Sequence, residues 1–274
     1  MTRLAALLAA GLTAAVLVLS ILTLVLTATG LMPLVGTPGA TLRAFDAVRG
    51  DLLLAVRESL VIATSSTVLA GAIGMSVALV ALASPGGSRL LAATTTAPVP
   101  VAHIVAAVSF ALLLSDAGLA NRLSGLDTAS WPPLVAGPWP VASVATFAWK
   151  ESAFVALVVT ASLGPAVRDY SEVAALLGAG WRERVRYVLL PLALPALGAA
   201  CAIVFLFTLG SYEVVWLLGQ AYPEPLPVTA YRLFTSLDLQ ARPQAAAVAL
   251  TTVGLAMAAA VASVGVLRRS GVSR

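Results

Sequence analysis

Six long apolar runs constrain the fold of this 274-residue chain more than any other feature of its sequence. A helix that crosses a bilayer needs about 20 consecutive, mainly apolar residues, and each run has that length. The runs cover roughly 5–29, 56–83, 91–115, 139–163, 189–212 and 244–267. Hydrophobic residues make up 60% of the chain and charged residues only 10%, a composition typical of a bilayer protein. We therefore predict an all-α membrane protein with six transmembrane helices.

The first run, 5–29, follows Met1-Thr2-Arg3 and could be mistaken for a secretory signal. The apolar core of a signal peptide has about 7–15 residues, and this run is much longer. We expect an uncleaved N-terminal helix in front of a core at about 55–267. Without an internal repeat or a low-complexity linker, residues 1–274 are expected to form a single transmembrane domain.

The arginines favour one orientation, because short cytoplasmic loops carry an excess of Lys and Arg. With the N-terminus inside, more arginines fall on the inner side than on the outer side. The inner ones are Arg3, Arg89, Arg168, Arg182, Arg184, Arg186, Arg268, Arg269 and Arg274. Six spans then place both termini in the cytoplasm. The net charge of +4 follows from this topology, and no basic-aromatic pattern indicates nucleic acid.

A polar segment, Tyr170 to Pro191, interrupts the apolar pattern between the fourth and fifth runs. Asp169 followed by Glu172 resembles a capping box, which marks the start of a helix. Gly178 suits the position just past a helix C-terminus. The spacing predicts a separate helix of about two turns between these signals.

One face of this predicted helix carries Glu172, Ala175 and Ala179 at i, i+3 and i+7. Small side chains permit close approach of a partner, and one carboxylate can fix the register by pairing with a partner arginine. We interpret the segment as a docking surface for another protein; the alternative is a capped loop helix whose charges are solvated. The chain is then expected to turn into the fifth span at Pro191 and Pro195, where proline is tolerated near a helix start.

The order of Glu172, small residues, Gly178 and then Leu190-Pro191 resembles the EAA loop of ATP-binding-cassette (ABC) importer permeases. Val173 replaces the first Ala of the Glu-Ala-Ala triplet, and Gly180 stands where the family often has Ser. The resemblance implies a type I permease fold in which this loop docks on the ATPase. The coupling residues that it implies are Glu172, Ala174, Ala175, Leu177, Gly178 and Ala179.

Partners and mechanism follow from the same resemblance. Permeases of this type work in pairs, so it implies a second permease subunit, identical or related, and a dimer of ABC ATPase subunits. It also implies an extracytoplasmic substrate-binding protein and a location in the bacterial plasma (inner) membrane. ATP binding would draw the two coupling helices together and open the cavity outward, and hydrolysis would reset the inward state.

The chain lacks the means to hydrolyse ATP itself. A phosphate-cradling loop requires Gly-x-x-x-x-Gly-Lys-Ser/Thr, and the only lysine, Lys150, lies between Trp149 and Glu151. We therefore expect a non-catalytic subunit without its own cofactor, with ATP and Mg²⁺ on the partner ATPase. Cys201 and His103 are each the only residue of their type, so we expect neither a metal site nor Cys-His catalysis.

Lys150 and Glu151 fall near the middle of the fourth run, and an ionisable residue at that depth predicts a functional site. Adjacent helical residues point about 100° apart, so these two need not pair with each other. They are candidates for the translocation path; structural pairing, or snorkelling toward an interface, is the alternative.

A second set of path candidates ends the fifth run, within Leu209-Gly210-Ser211-Tyr212-Glu213. The stretch looks like a Leu-Gly-Glu-Phe-type segment in permeases of the polyamine, iron, thiamine and oxyanion branch. Gly and Ser predict a helix break there, and irregular backbone at this depth usually lines a cavity. Tyr212 and Glu213 are therefore the second pair of candidates.

Prolines and glycines in the other runs predict local geometry. Pro98 and Pro100 each remove a helix hydrogen bond, which predicts a kink or a late helix start. His103 is expected to be a satisfied buried imidazole, with a proton carrier as the alternative. Gly71, Gly74 and Ser76 in the second run are small residues that suit close helix packing. The outer segments 116–138 and 213–243 are either a landing surface for the binding protein or ordinary exposed loops.

The substrate is the least determined part of the interpretation. Glu151 and Glu213 would suit a cation such as a polyamine, although Lys150 weakens that argument. Iron, thiamine, a sulfate-like anion or a sugar remain alternatives. Two other classes of function stay open: a secondary transporter or channel that needs no ATPase, and a membrane scaffold that uses the polar loop only to hold a partner.

Overall fold

The protein is all-helical, as its sequence predicts. The computed structural model describes residues 2–83, 96–176 and 178–269, with the backbone alone at 2–4, 83, 164–169, 171–172, 175–176, 181 and 269. No strand occurs within these ranges. Six helical stretches among the described residues are long and apolar enough to cross a membrane, which is the number predicted.

In chain order the helices are α1 Thr2–Ala28, α2 Arg43–Ala83, α3 His103–Leu114, α4 Leu119–Ser124, α5 Val141–Leu176, α6 Trp181–Arg184, α7 Leu190–Gly210, α8 Glu213–Leu218, α9 Leu226–Thr235 and α10 Ala241–Arg269. A π-helix, Val185–Leu189, joins α6 to α7, and a 3-10 helix covers Thr128–Ser130. The predicted boundaries of the first and last spans are close to those of α1 and α10.

The second helix begins well before the predicted span. Helix α2 starts at Arg43, whereas the apolar run suggests a start at residue 56. Residues such as Asp46 and Arg49 end the hydrophobic run without ending the helix, because charged side chains are compatible with helical backbone. Hydropathy therefore locates the part of α2 that suits lipid and misses its polar N-terminal extension.

The third span begins later than predicted. Residues 97–100 form a turn and α3 starts at His103, so the prediction of one continuous span over 91–115 is wrong; residues 91–95 lie outside the described residues. Pro98 and Pro100 cannot donate backbone hydrogen bonds, which explains the late start that their presence predicts.

The described residues fall into two compact units. One lies within Met1–Glu58 and Pro223–Leu255, and the other within Ser59–Tyr222 and Ala256–Arg274. In the first, small alanines allow α1, α2 and α10 to pack together. Its buried core includes Ala28, Ala44, Val48, Ala55, Leu226, Ala246, Ala247 and Val248.

The second unit contains the residues predicted to carry function. Its core joins α2, α5 and α7 through Ala70, Val155 and Ala200. Two glycines of α2 permit this packing: a β-carbon on Gly74 would lie 2.6 Å from the Ser152 carbonyl oxygen, and one on Gly71 would lie 2.9 Å from Cys201 Sγ. The predicted role of these glycines in helix packing is confirmed.

Candidate functional site

The polar loop is a helix end, a tight turn and a new helix start. Helix α5 runs without interruption from Val141 to Leu176, so the prediction of a separate two-turn helix beginning near Asp169 is wrong. An N-cap residue has non-helical backbone angles, and Asp169 lies within the helix. The good helix formers that follow, such as Ala174, extend α5 instead of starting a new element.

The C-terminal end of α5 has the geometry that the sequence predicts. Gly178 has φ +82°, in the left-handed region where glycine is favoured. The Ala179 N–H donates to the Ala174 carbonyl over 2.9 Å, the long hydrogen bond of a Schellman motif. This bond satisfies one of the carbonyls left free at the end of α5 and reverses the chain toward α6.

Helix α6 begins directly after this turn and has a cap that the sequence analysis missed. The Glu183 side chain accepts a hydrogen bond from the Gly180 N–H, 2.8 Å from Oε2. This is the reciprocal half of a capping box, in which the third helical residue reaches back to the N-cap. The signal was a glutamate three residues after a candidate N-cap, but Gly180 supplies no side-chain cap of its own.

Helical backbone continues from Trp181 through α7, so the turn predicted at Pro191 is wrong. Pro191 has no N–H to donate to the carbonyl four residues earlier. The chain widens instead into the π-helix Val185–Leu189, where the Leu190 N–H donates to the Val185 carbonyl. Such π segments insert one extra residue and change the direction of the residues that follow.

Three of the predicted coupling residues, Glu172, Ala174 and Ala175, lie on the last turns of α5. For Glu172 and Ala175 the structure describes the backbone alone. Leu177 lies outside the described residues. Ala174 and Ala179 are half-buried, and Gly178 is exposed. Neighbouring apolar side chains are exposed on the same loop: Tyr170, Val173 and Tyr187.

A pocket in the second unit brings Lys150 and Glu151 together with His103. Its volume is about 250 Å³, and Val99, Phe154, Ile203 and Phe207 complete the lining. Lys150 is 7% exposed and Glu151 8% exposed. Both lie on α5, which packs against α3 and α7.

His103 is the partner of Glu151. Its Nε2 atom lies 3.0 Å from Glu151 Oε1, and its ring packs on Phe207 with 4.7 Å between centroids. The histidine occupies the first position of α3, where the prolines before it place the helix start. His103 and Glu151 are 48 positions apart in the chain, so the sequence gave no signal of this contact.

Lys150 has weaker contacts than Glu151. Its Nζ atom lies 3.4 Å from the Val99 carbonyl oxygen and 3.5 Å from that of Pro98. These distances are long for hydrogen bonds from an ammonium group. Among the residues that the structure describes, no carboxylate lies within 4.0 Å of this ammonium.

The second pair of path candidates lies apart from the pocket lining. Helix α7 ends at Gly210, Ser211 is extended, and α8 begins at Glu213, so the predicted break is confirmed. Tyr212 stacks on Trp216 with 6.0 Å between ring centroids, and Glu213 is exposed. Neither residue lines the pocket that holds Glu151.

Comparison with known proteins identifies the fold. No protein-family model matches this chain, and no curated protein matches it. A solved structure of a bacterial ABC transporter involved in the import of the acidic polysaccharide alginate matches with a TM-score of 0.75 and 18% identity, over 98% of this chain and 99% of the other.

A second alginate transporter structure, in complex with a periplasmic protein bound to alginate pentasaccharide, gives a TM-score of 0.78 at 18% identity, over 98% of this chain and 96% of the other. The crystal structure of an amino acid ABC transporter with histidines gives a TM-score of 0.59 at 16% identity, over 84% of this chain and 99% of the other. At these identities the likeness establishes the fold, which is that of an ABC transporter membrane chain.

Proposed function

We propose that this chain is the membrane permease subunit of an ATP-driven, binding-protein-dependent importer. The observation that carries the proposal is the loop at 172–184: within an ABC permease fold, α5 ends at a left-handed glycine six residues after Glu172 and a capped helix follows. That is the segment whose sequence resembles the ATPase-docking EAA loop. Val173 within this loop, and Tyr170 and Tyr187 on either side of it, are exposed and form an apolar surface suited to a protein partner.

The proposed assembly contains two permease subunits, identical or related, two ABC ATPase subunits and an extracytoplasmic binding protein. Six spans and the arginine bias support a plasma-membrane orientation with both termini and the 172–184 loop in the cytoplasm. One alginate transporter structure contains a periplasmic protein, and by analogy the segments 116–138 and 213–243 are proposed as its landing surface here. ATP and Mg²⁺ belong to the ATPase subunits.

Transport would proceed by alternating access. ATP-driven closure of the ATPase dimer would move the two Glu172 loops together, and the membrane helices would open outward. The ATPase must bind one membrane state more tightly than the other, because a ligand shifts an equilibrium only through differential affinity. This chain makes and breaks no covalent bond in the proposed cycle.

The solute is proposed to be small and polar, and Lys150, Glu151, Tyr212 and Glu213 are the proposed path residues. The sequence-based expectation of a polyamine-like cation, and of the polyamine, iron, thiamine and oxyanion branch, depended on two carboxylates acting together. Glu213 is exposed and does not line the Glu151 pocket. The pocket therefore offers a polycation one carboxylate, Glu151, and that carboxylate is next to the positively charged Lys150.

Capture of the ATPase tests this function. The tagged chain, cross-linked in its own host and purified, should bring down a polypeptide that contains Gly-x-x-x-x-Gly-Lys-Ser/Thr. Glu172→Lys should reduce that capture and the ATP hydrolysis that accompanies it while leaving membrane insertion intact. Asp46→Lys, the same charge reversal at an exposed position of α2, is the matched control.

Unchanged capture by the Glu172→Lys chain would remove this loop from the interface. A secondary transporter is the second candidate, since buried Lys150 and Glu151 line a pocket and intramembrane charges mark transport paths. In reconstituted vesicles an importer requires ATP for uptake, whereas a secondary transporter requires only an ion gradient.

A further inference from the structure

We infer that the pocket around Lys150 and Glu151 binds a small free zwitterionic solute, a molecule that carries one ammonium and one carboxylate group. The inference rests on the proposed import function, because it names the class of solute that the importer would carry. The juxtaposition that carries it is a buried cation and a buried anion, on adjacent residues of α5, that open into one apolar-walled pocket.

Lys150 supplies the first half of the argument. Its ammonium is buried, and its contacts among the described residues are two carbonyl oxygens at 3.4 and 3.5 Å. A buried charge is costly unless a partner of opposite charge or strong hydrogen bonds compensate it. The carboxylate of a solute would supply the counter-charge that the described part of the chain does not place beside Lys150.

Glu151 supplies the second half. His103 occupies Oε1 and fixes the orientation of the carboxylate, while Oε2 accepts no hydrogen bond from any residue that the structure describes. An ionised carboxylate can accept about four hydrogen bonds. Glu151 therefore retains acceptor capacity for the ammonium group of a solute, held in place by the histidine.

Charge balance distinguishes a zwitterion from the polyamine-like cation considered above. A polyamine would bring two or more positive charges next to Lys150, whereas a zwitterion adds one charge of each sign. The side chains of Phe154, Ile203 and Phe207 would contact the carbon chain between the charged ends. A pocket of about 250 Å³ is smaller than pockets for drug-sized ligands, which favours a small solute.

Titration calorimetry on the full-length chain in phosphatidylglycerol nanodiscs tests the inference. The probes are glycine, β-alanine and γ-aminobutyrate, with butylamine, butyrate and putrescine as comparison ligands. We expect at least one amino acid to bind about tenfold or more tightly than every comparison ligand, since it makes a charged hydrogen bond at each end. Comparable or tighter binding of any comparison ligand, or no binding of any amino acid, would overturn the inference.

Matched variants locate the binding. Lys150→Gln and Glu151→Gln should each weaken binding of the best amino acid about tenfold, because each removes one charge partner. Arg49→Gln and Asp46→Asn, which remove exposed charges of α2, should leave it unchanged. Wild-type affinity in both pocket variants would overturn the assignment, and if either variant fails to fold, the probe comparison in the unmodified chain decides.

A lipid head group could offer the same zwitterionic chemistry. The titration is therefore repeated in nanodiscs that contain phosphatidylethanolamine; unchanged amino-acid binding supports a free solute, and its abolition assigns the pocket to lipid and overturns the inference. The titration needs no ATPase and the capture experiment needs no solute. Failure of one therefore leaves the result of the other intact.

Discussion

His103 Nε2 lies 3.0 Å from Glu151 Oε1, which joins the first residue of α3 to the first third of α5. The preceding residue of α5, Lys150, points its ammonium at the carbonyls of Pro98 and Val99. Two adjacent charged residues therefore contact the backbone just before α3 and the residue that begins it. The turn at 97–100 and the start of α3 thus lie beside these two residues of α5.

A double-mutant cycle should detect the His103–Glu151 contact. His103→Ala and Glu151→Ala should each destabilise the chain, and their effects should be non-additive, with a coupling energy of about 1–3 kcal/mol. The measurement is the free energy of unfolding of the purified chain in detergent, obtained by denaturant titration. The control pair is His103→Ala with Asp46→Ala, which has an exposed partner and should be additive. Additivity in the first pair would contradict the contact.

The packing of α2 against α5 gives a second prediction. Because a β-carbon on Gly74 would lie 2.6 Å from the Ser152 carbonyl oxygen and 2.7 Å from Val155 Cβ, Gly74→Ala must push the two helices apart. Overpacking of this kind costs about 1–3 kcal/mol. The thermal unfolding midpoint of the purified chain should fall accordingly.

Gly254→Ala is the control for that substitution. Gly254 lies within α10, and apart from its chain neighbours and the nearby backbone of its own helix, no described atom lies within 4 Å of the position that an added methyl group would take. Alanine is favoured over glycine in a helix by about 0.5–1 kcal/mol. The two glycine-to-alanine changes should therefore have opposite signs. A midpoint that rises for Gly74→Ala would show that the α2–α5 contact is looser than the structure has it.

Local rules explain which parts of this fold the sequence could predict. The break at Gly210-Ser211 and the helix end at Gly178 depend on residues whose backbone preferences are strong. The late start of α3 follows from prolines that lack an N–H. The start of α2 at Arg43 was missed because hydropathy measures suitability for lipid, while helical backbone also accommodates the charged residues before the apolar run.

The candidate pocket could be predicted only in part, because the sequence does not show which distant residues meet in the fold. Lys150 and Glu151 could be selected because charges are rare in apolar spans, but their partners lie about fifty residues away in the chain. Only the packing of α3 on α5 brings His103 to Glu151. The same limit explains why Glu213 could be grouped with Glu151 from composition although the two do not line one pocket.

Gly178 should be replaceable only by residues that tolerate its backbone conformation. It has φ +82° and open space around a β-carbon, so the cost of substitution is conformational, about 1–2 kcal/mol for most L-residues and less for Asn. Under the proposed function, capture of the ATPase should decrease in the order wild type, Gly178→Asn, Gly178→Val. Gly36→Val adds comparable strain at φ +92° in the first unit and should leave capture unchanged.

The cap of α6 gives a prediction that does not depend on the function. The Glu183 carboxylate accepts from the Gly180 N–H at 2.8 Å, and this bond protects an amide that a helix start otherwise leaves free. Glu183→Ala should therefore speed hydrogen exchange in the peptide that contains Gly180, whereas Glu183→Gln, which keeps an acceptor oxygen, should change it less. Arg182→Ala, an exposed neighbour, is the control for general loosening of the loop. Equal exchange in the Glu183→Ala chain and the wild type would mean that Gly180 is protected by another group, and that the turn after Gly178 is held without this carboxylate.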